Sequence, residues 1–226
     1  MIHDTVIDDL FDRAAGPVRP FEFDADVARV FPDMVRRSVP GYAELVGLSG
    51  LIARRVAGPG ARCYDLGCSL GAVTRSILRQ TGPDVSVVAV DNAPAMIEGL
   101  QARLAAETDV TRVETLCADI QSIAIEEASL VVLNLTLQFV PIEARLGLLQ
   151  RIRAGLMPGG VLILAEKFAS PEGRAGDWLI RLHEDFKRAN GYSELAIARK
   201  RTALEQALIP ESLEEHERRL AEAGFA

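Results

Sequence analysis

The stretch Arg62-Cys63-Tyr64-Asp65-Leu66-Gly67-Cys68-Ser69-Leu70-Gly71 reads as a short apolar strand that ends in an acid and passes into a glycine-rich turn opening a helix. Gly67 and Gly71 remove the Cβ where a ligand and a helix must come close, and the backbone N–H groups of residues 68 to 71 are expected to be free to donate. A pyrophosphate in such a turn would meet the carboxylate just before its first glycine, and like charges repel strongly in a partly desolvated pocket. Asp65 therefore speaks against NAD. S-adenosylmethionine has an ammonium and a sulfonium and no phosphate, so an acid at the end of the first strand suits it. Alone, a G-x-x-x-G turn also fits an ordinary strand-to-helix loop.

The same residues spell G-x-S-x-G, the nucleophile elbow of serine hydrolases, with Ser69 as nucleophile. That chemistry needs an acid and then a histidine downstream. The downstream histidines, His183 and His216, both fall in helical patterns, and the first 60 residues show helical periodicity where a hydrolase would place strands. The hydrolase reading is set aside on these grounds.

Downstream of the turn the pattern repeats. Ala72, Val73, Ile77 and Leu78 mark a helix closed by Thr81-Gly82-Pro83, and Val85 to Val90 forms a second strand ending in Asp91. Asp91 follows Gly71 by the spacing at which a βαβ unit sets a carboxylate on ribose hydroxyls. The plainer role for Asp91 or Asn92 is to cap the next helix, which has Pro94 in its first turn. That helix carries Met96, Ile97, Leu100 and Leu104, and a third strand, Val113 to Cys117, runs toward Asp119. In a parallel sheet, strand ends share one edge, so Asp65, Asp91 and Asp119 are expected to line a single cleft. Leu130 to Leu133 is the fourth strand, with Asn134 at its end. A helix from Pro141 leads through Leu146, Leu149 and Ile152 to Pro158-Gly159-Gly160 and the fifth strand, Val161 to Leu164, followed by Glu166-Lys167.

Five βα units imply an α/β, Rossmann-like architecture: an open, mainly parallel sheet with helices on both faces. Residues 1–60 read as a helical arm and cap. Asp24 can cap a helix bearing Val27, Val30, Phe31, Met34 and Val35, which Pro32 is expected to split in two. After Pro40-Gly41, a longer helix from Tyr42 shows Leu45, Leu48, Ile52 and Val56 on one face. Residues 61–226 read as the nucleoside-binding domain, interrupted at about 169–210 by two helical patterns placed to act as a lid or a subunit contact. Trp178, Leu179, Leu182 and Phe186 lie on the first, and Arg199-Lys200-Arg201 on the second. Ser212 with Glu215 forms a capping box for a last helix ended by Gly224.

Composition bounds the function. The chain has 226 residues, 25 basic against 32 acidic side chains and a formal net charge of −7. That charge is expected to exclude direct nucleic-acid binding, which draws on basic patches. Apolar runs are of strand length, so no membrane association is expected. No secretory pattern opens the chain, which points to the cytoplasm. Cys63, Cys68 and Cys117 lack metal-ligand spacing, and no metal is expected.

On Phe31-Pro32-Asp33-Met34, Arg37 to Tyr42, Tyr64 to Gly71, Asp91-Asn92 and Val131 to Phe139, the chain resembles the carboxy-S-adenosyl-L-methionine synthase family of the class I methyltransferase-like superfamily. The resemblance spans nearly everything from Phe31 to Phe225. Its most specific block is His183-Glu184-Asp185-Phe186-Lys187-Arg188-Ala189-Asn190-Gly191-Tyr192-Ser193-Glu194-Leu195, which generic methyltransferases do not share. The resemblance implies that prephenate gives a carboxyl group to the methyl carbon of S-adenosylmethionine, leaving phenylpyruvate and carboxy-S-adenosyl-L-methionine for wobble-uridine modification of transfer RNA.

It also implies a homodimer and a cofactor site of Tyr42, Gly67, Cys68, Ser69, Asp91, Asn92, Asp119, Ile120, Asn134 and Arg201, to which the strand-end argument adds Asp65. On physical grounds Asp91 suits ribose, Asp119 an adenine amino group, and Ile120 the face of the base. Only the resemblance makes a ligand of Arg201, which the sequence pattern leaves on a solvated face. As a ligand, its planar fork would pair with the new carboxylate and act in catalysis. Lys167 is a candidate to hold a dianionic substrate, with a surface lysine as the plainer reading. The class I fold normally adds a strand pair after the last helix, for which no residues follow. An ordinary small-molecule methyltransferase and a non-catalytic cofactor-binding protein are the alternatives.

Overall fold

The computed structural model describes residues 6–13, 16–107 and 110–226. Its centre is a sheet of β1 (Arg62–Leu66), β2 (Ser86–Asp91), β3 (Val113–Cys117), β4 (Ala128–Asn134) and β5 (Leu156–Ala165). All neighbours are parallel, in the order β3-β2-β1-β4-β5. The register sets Leu66 beside Val90 and Leu133, and Asp91 beside Cys117, so the carboxyl ends form one edge. The order reverses between β1 and β4, the place where open α/β sheets bind ligands.

Alternation with period two sends Cys63, Val87, Ala89, Leu130 and Val132 to one face and Tyr64, Leu66, Val88, Val90, Val131 and Leu133 to the other. Both sets are apolar because both faces are covered. Helices α3 (Tyr42–Val56), α4 (Ala72–Gln80) and α5 (Pro94–Leu104) cover the first, and α6 (Ile142–Gly155) and α9 (Leu213–Glu222) the second. The helices α2 (Ala25–Ser38), α7 (Arg174–Ala189) and α8 (Glu194–Leu204) gather above the carboxyl edge, and α1 (Leu10–Arg13) packs against α8. Asp24 caps α2, and Ser212 with Glu215 forms the expected capping box on α9.

Three local expectations are corrected. Pro32 does not split α2, which runs unbroken through it. The lost hydrogen bond and ring clash cost about 3 kcal/mol. They are offset by burying Val27, Val30 and Met34 against Leu70, Ala93 and Met96, and by Asp33, which pairs with Arg36 and Arg37 and accepts the Asp8 N–H. On α3, Leu48 faces solvent, and the buried positions are Ser49, Gly50 and Ala53. Small residues win there because α3 lies hard against α4: a Cβ on Gly50 would stand 2.7 Å from the Ser76 carbonyl oxygen. Finally, Pro158-Gly159-Gly160 belongs to β5, at a bulge where the register with β4 slips between Ala128 and Leu130.

One buried cluster ties the α7–α8 segment back to the sheet. Arg145 on α6 is 0% exposed and pairs with Glu211, which Arg219 also grips. Its remaining N–H groups reach the carbonyl oxygens of Val140 and Ile209, both at 2.9 Å, and of Gln138 at 3.3 Å.

Candidate active site

A cavity of about 1220 Å³ opens over the carboxyl edge of the sheet, beneath α2, α7 and α8. Its floor is the β1–α4 turn. Gly67 has φ +78°, and a Cβ there would strike the Thr136 side chain, so both the turn and the neighbouring loop require glycine. The turn is more occupied than its sequence suggests. Gly67 and Cys68 donate to the Val90 carbonyl oxygen, Gly71 to that of Cys68, and Ser69 to Asp91 Oδ2, so these N–H groups are not free for a ligand. The cradle is formed by close approach of the backbone instead. Ser69 adopts a left-handed φ of 46°, a strained setting held by that bond to Asp91.

Asp65, Asp91 and Asp119 all line the cavity, as the strand pattern requires. Asp65 is 1% exposed, and its Oδ2 accepts the Thr74 N–H at 2.9 Å and hydroxyl at 2.6 Å, pinning the start of α4. Burial pushes its pKa up to about 6, against the two Thr74 bonds. Asp91 accepts from Ala93 N through Oδ1 and from Ser69 N through Oδ2, both at 2.9 Å. Burial raises its pKa too, and those bonds oppose the rise. It therefore braces the loop before α5 and lines the cavity, but it does not cap that helix as the plainer reading had it, because the N-cap is Ala93 and no side chain caps it. Asp119 accepts the Gln121 N–H at 2.8 Å.

Tyr42, Gly67, Cys68, Ser69, Asn92, Ile120 and Asn134 stand in the same wall. Burial and the Asp65 charge raise Tyr42 to about 12, so its hydroxyl is neutral and can donate. Burial likewise keeps the Cys68 thiol protonated. Asn134 Oδ1 is buried and lacks a hydrogen-bond partner. Such an orphan costs about 1–3 kcal/mol, and a ligand N–H or ammonium would satisfy it. An acidic edge, a neutral phenol, an apolar Ile120 and a buried unpaired acceptor fit the adenosine and amino groups of S-adenosylmethionine.

Arg201 is placed elsewhere. Its side chain is 52% exposed and pairs with Glu184 rather than lining the cavity. Its neighbour Lys200, about 100° around α8, points inward and is buried. Arg201 still lies near enough to Lys167 to lower that lysine's pKa.

The opposite wall is basic, and the sequence reading assigned it nothing beyond Lys167. His183, Lys187 and Lys200 from α7 and α8 join Lys167 there. Burial, with Lys167 nearby, brings Lys187 down to about 8; burial brings Lys200 to about 7 despite Asp8. His183 Nε2 lies 2.8 Å from the Ser38 carbonyl oxygen and, facing an acceptor, carries the proton. The available signal was the block from His183 to Leu195, conspicuous as a motif but without roles for its residues. Glu166 was also missed. It accepts the N–H groups of Thr136, Leu137 and Gln138, fixing the loop after β4, and burial raises its pKa to about 7. Among the described residues, no group of three or more His, Cys, Asp or Glu is placed to hold a metal ion. No described helix is long and apolar enough to cross a membrane.

Sheet order, glycine turn and acidic edge together define a class I methyltransferase-type domain that binds S-adenosylmethionine. Residues 64–160 match the model of a methyltransferase domain. The solved structure of the S-adenosylmethionine-dependent methyltransferase SibL superposes with a TM-score of 0.63 at 19% identity, over 96% of this chain and 59% of that one. A carboxy-S-adenosyl-L-methionine synthase of Geobacter sp. (strain M21) is 52% identical over 221 residues, covering 97% of this chain and 91% of the relative. Another, from Geobacter metallireducens, is 54% identical over 208 residues, 91% and 85% of the two chains. The chain belongs to the carboxy-S-adenosyl-L-methionine synthase family, a family of enzymes.

Proposed function

We propose that this protein converts S-adenosylmethionine and prephenate to carboxy-S-adenosyl-L-methionine and phenylpyruvate. The observation that carries the reading is the chemical division of one cavity. Its acidic wall, with the orphaned Asn134 oxygen, suits a cationic nucleoside, and its basic wall suits a dianion. Bound S-adenosylmethionine supplies a methyl group made acidic by its sulfonium. Overall, the prephenate ring gives up its carboxyl group and its hydroxyl and becomes aromatic, the methyl carbon exchanges a proton for the carboxyl, and water leaves. What the chain contributes is placement. Asp91 orients ribose, Ile120 and Asp119 hold the base, Asn134 and Asp65 take the amino end, and the surrounding wall keeps water away from the transferred carboxyl.

The product would serve wobble-uridine modification of transfer RNA in the cytoplasm, handed on as a small molecule, a reading the formal net charge of −7 supports. The partner we assign is a second copy. On α7, Trp178, Leu179, Ile180 and Leu182 are exposed, Trp178 by 57%, and Leu179 and Leu182 also flank the cavity mouth. Phe186, expected on that face, lines the cavity instead. A neighbour docked on α7 would bury this apolar strip and narrow the mouth, and light scattering should find a dimer. Arg201, outside the cavity wall of its own subunit, is proposed to pair with the new carboxylate at the mouth.

Mass spectrometry of the nucleosides formed from the protein, S-adenosylmethionine and prephenate tests the function. A carboxylated nucleoside is expected. A demethylated nucleoside would make it an ordinary methyltransferase, and neither product would refute turnover. Arg201→Ala should weaken binding of the carboxylated nucleoside more than Arg201→Lys, and both far more than they affect S-adenosylmethionine.

A further inference from the structure

Resting on that reading, we propose that Lys187 and Lys167 form the subsite that receives the carboxylates of the dianionic carboxyl donor. The two ammonium groups come from different elements, Lys187 from α7 and Lys167 from the segment after β5, and line the same cavity wall. Lys187 is half-buried and has no hydrogen-bond or ion-pair partner among the described residues. A cation in that setting is best stabilised by an opposite charge, and the described acids beside it are committed. Glu184 is held by Arg201 and Arg188, and Asp185 by Arg188 at 2.6 Å. Glu166 is turned to three backbone N–H groups, and Asp8 to Tyr192 and Lys200. His183 spends its proton on Ser38, and Lys200 donates to the Ser38 hydroxyl at 2.8 Å, so both brace the wall behind the two free lysines. Burial, with Lys167 close by, lowers the pKa of half-buried Lys187, as for a charge that an anion would stabilise, while Lys167 is more exposed and is lowered by desolvation and by Arg201.

Position separates this subsite from the nucleoside. The acids that suit the nucleoside end β1 and β2, whereas Lys167 follows β5, two strands beyond β1 in the sheet order. That is about 10 Å across the edge, the width of a small ring acid. A carboxylate could also come from the methionine end of the cofactor, and the experiment separates the two sources.

Lys187→Met, Lys167→Met and Lys187→Arg are compared with wild type for KM toward prephenate, for calorimetric Kd toward S-adenosylmethionine and for Tm. Each methionine variant should raise the prephenate KM by about tenfold or more, the loss of one charge-assisted hydrogen bond. Lys187→Arg should recover most of it, the cofactor Kd should stay within about twofold, and Tm should not fall. An unchanged prephenate KM, or a loss confined to cofactor affinity, would overturn the assignment. If wild type makes no carboxylated nucleoside, the functional reading fails separately. Calorimetric titration of prephenate into the cofactor-loaded protein then decides: binding lost in Lys187→Met supports the subsite, and equal or absent binding in wild type refutes it.

Discussion

The two walls of the cavity are built on opposite principles. On the strand edge, each functional carboxylate already accepts bonds from its own fold, Asp65 from Thr74 and Asp91 from Ser69 and Ala93, so the acidic wall is set before any ligand arrives. On the facing wall, Lys187 of α7 and Lys167 after β5 line the same space, with no ion-pair partner among the described residues. A parallel sheet converges its strand ends and lets backbone N–H groups satisfy acids, whereas the ammonium groups of Lys187 and Lys167 meet no such fold-supplied partner among the described residues and suit an anion. The first wall is preorganised, and the second is left for the substrate to finish.

The largest effect should come from cutting the clasp between the walls. Arg145→Ala would leave Glu211 with only Arg219 and strip bonds from the carbonyl oxygens of Val140, Gln138 and Ile209. A loss of about 3–5 kcal/mol in urea unfolding is expected, as for a broken buried ion pair. A loss below about 1 kcal/mol would show the helical wall to be anchored elsewhere.

Next is Asp91→Ala, which tests whether preorganisation serves the ligand. Cofactor affinity measured by calorimetry should fall by roughly 1–3 kcal/mol as ribose hydroxyls lose their acceptor. Stability should fall as well, by about 1 kcal/mol, because Ser69 and Ala93 lose theirs. Unchanged affinity with lowered stability would leave Asp91 a loop brace alone.

The smallest effects belong to Lys187. Its folded pKa of about 8 lies below the usual lysine value, so the unfolded chain binds more protons between about pH 8 and 10.5 and stability rises across that window. Below pH 8 the charged lysine is a standing penalty, so Lys187→Met should raise Tm at pH 7 by about 2–4 °C. Prephenate binding should run in the opposite sense, weakening as pH climbs through about 8 and the ammonium is lost. A prephenate KM that stays flat from pH 7 to 9 would count against a charged Lys187 at the subsite.

The sequence by itself determined the sheet and the acidic wall. Apolar runs ending in Asp65, Asp91 and near Asp119 are local signals, and parallel topology then forces their ends together whatever the helices do. Gly67 and the family-specific block from His183 were legible for the same reason, since a tight turn and a motif are written in consecutive residues. Tertiary structure decided what depends on long-range geometry. Pro32 stays helical because burial of Val27, Val30 and Met34 outweighs its local penalty, and Leu48 is exposed because Gly50 meets Ser76. The N–H groups of Gly67, Cys68 and Ser69 were taken by Val90 and Asp91 on the neighbouring strand, which no local pattern could show. Lys200 and Arg201 are adjacent and equally basic in sequence, and only the rotation of α8 turns one into the cavity and the other toward Glu184. Charge on a helix carries no periodic signal of its direction. The basic wall therefore becomes visible only when α7, α8 and the end of β5 are packed over one space.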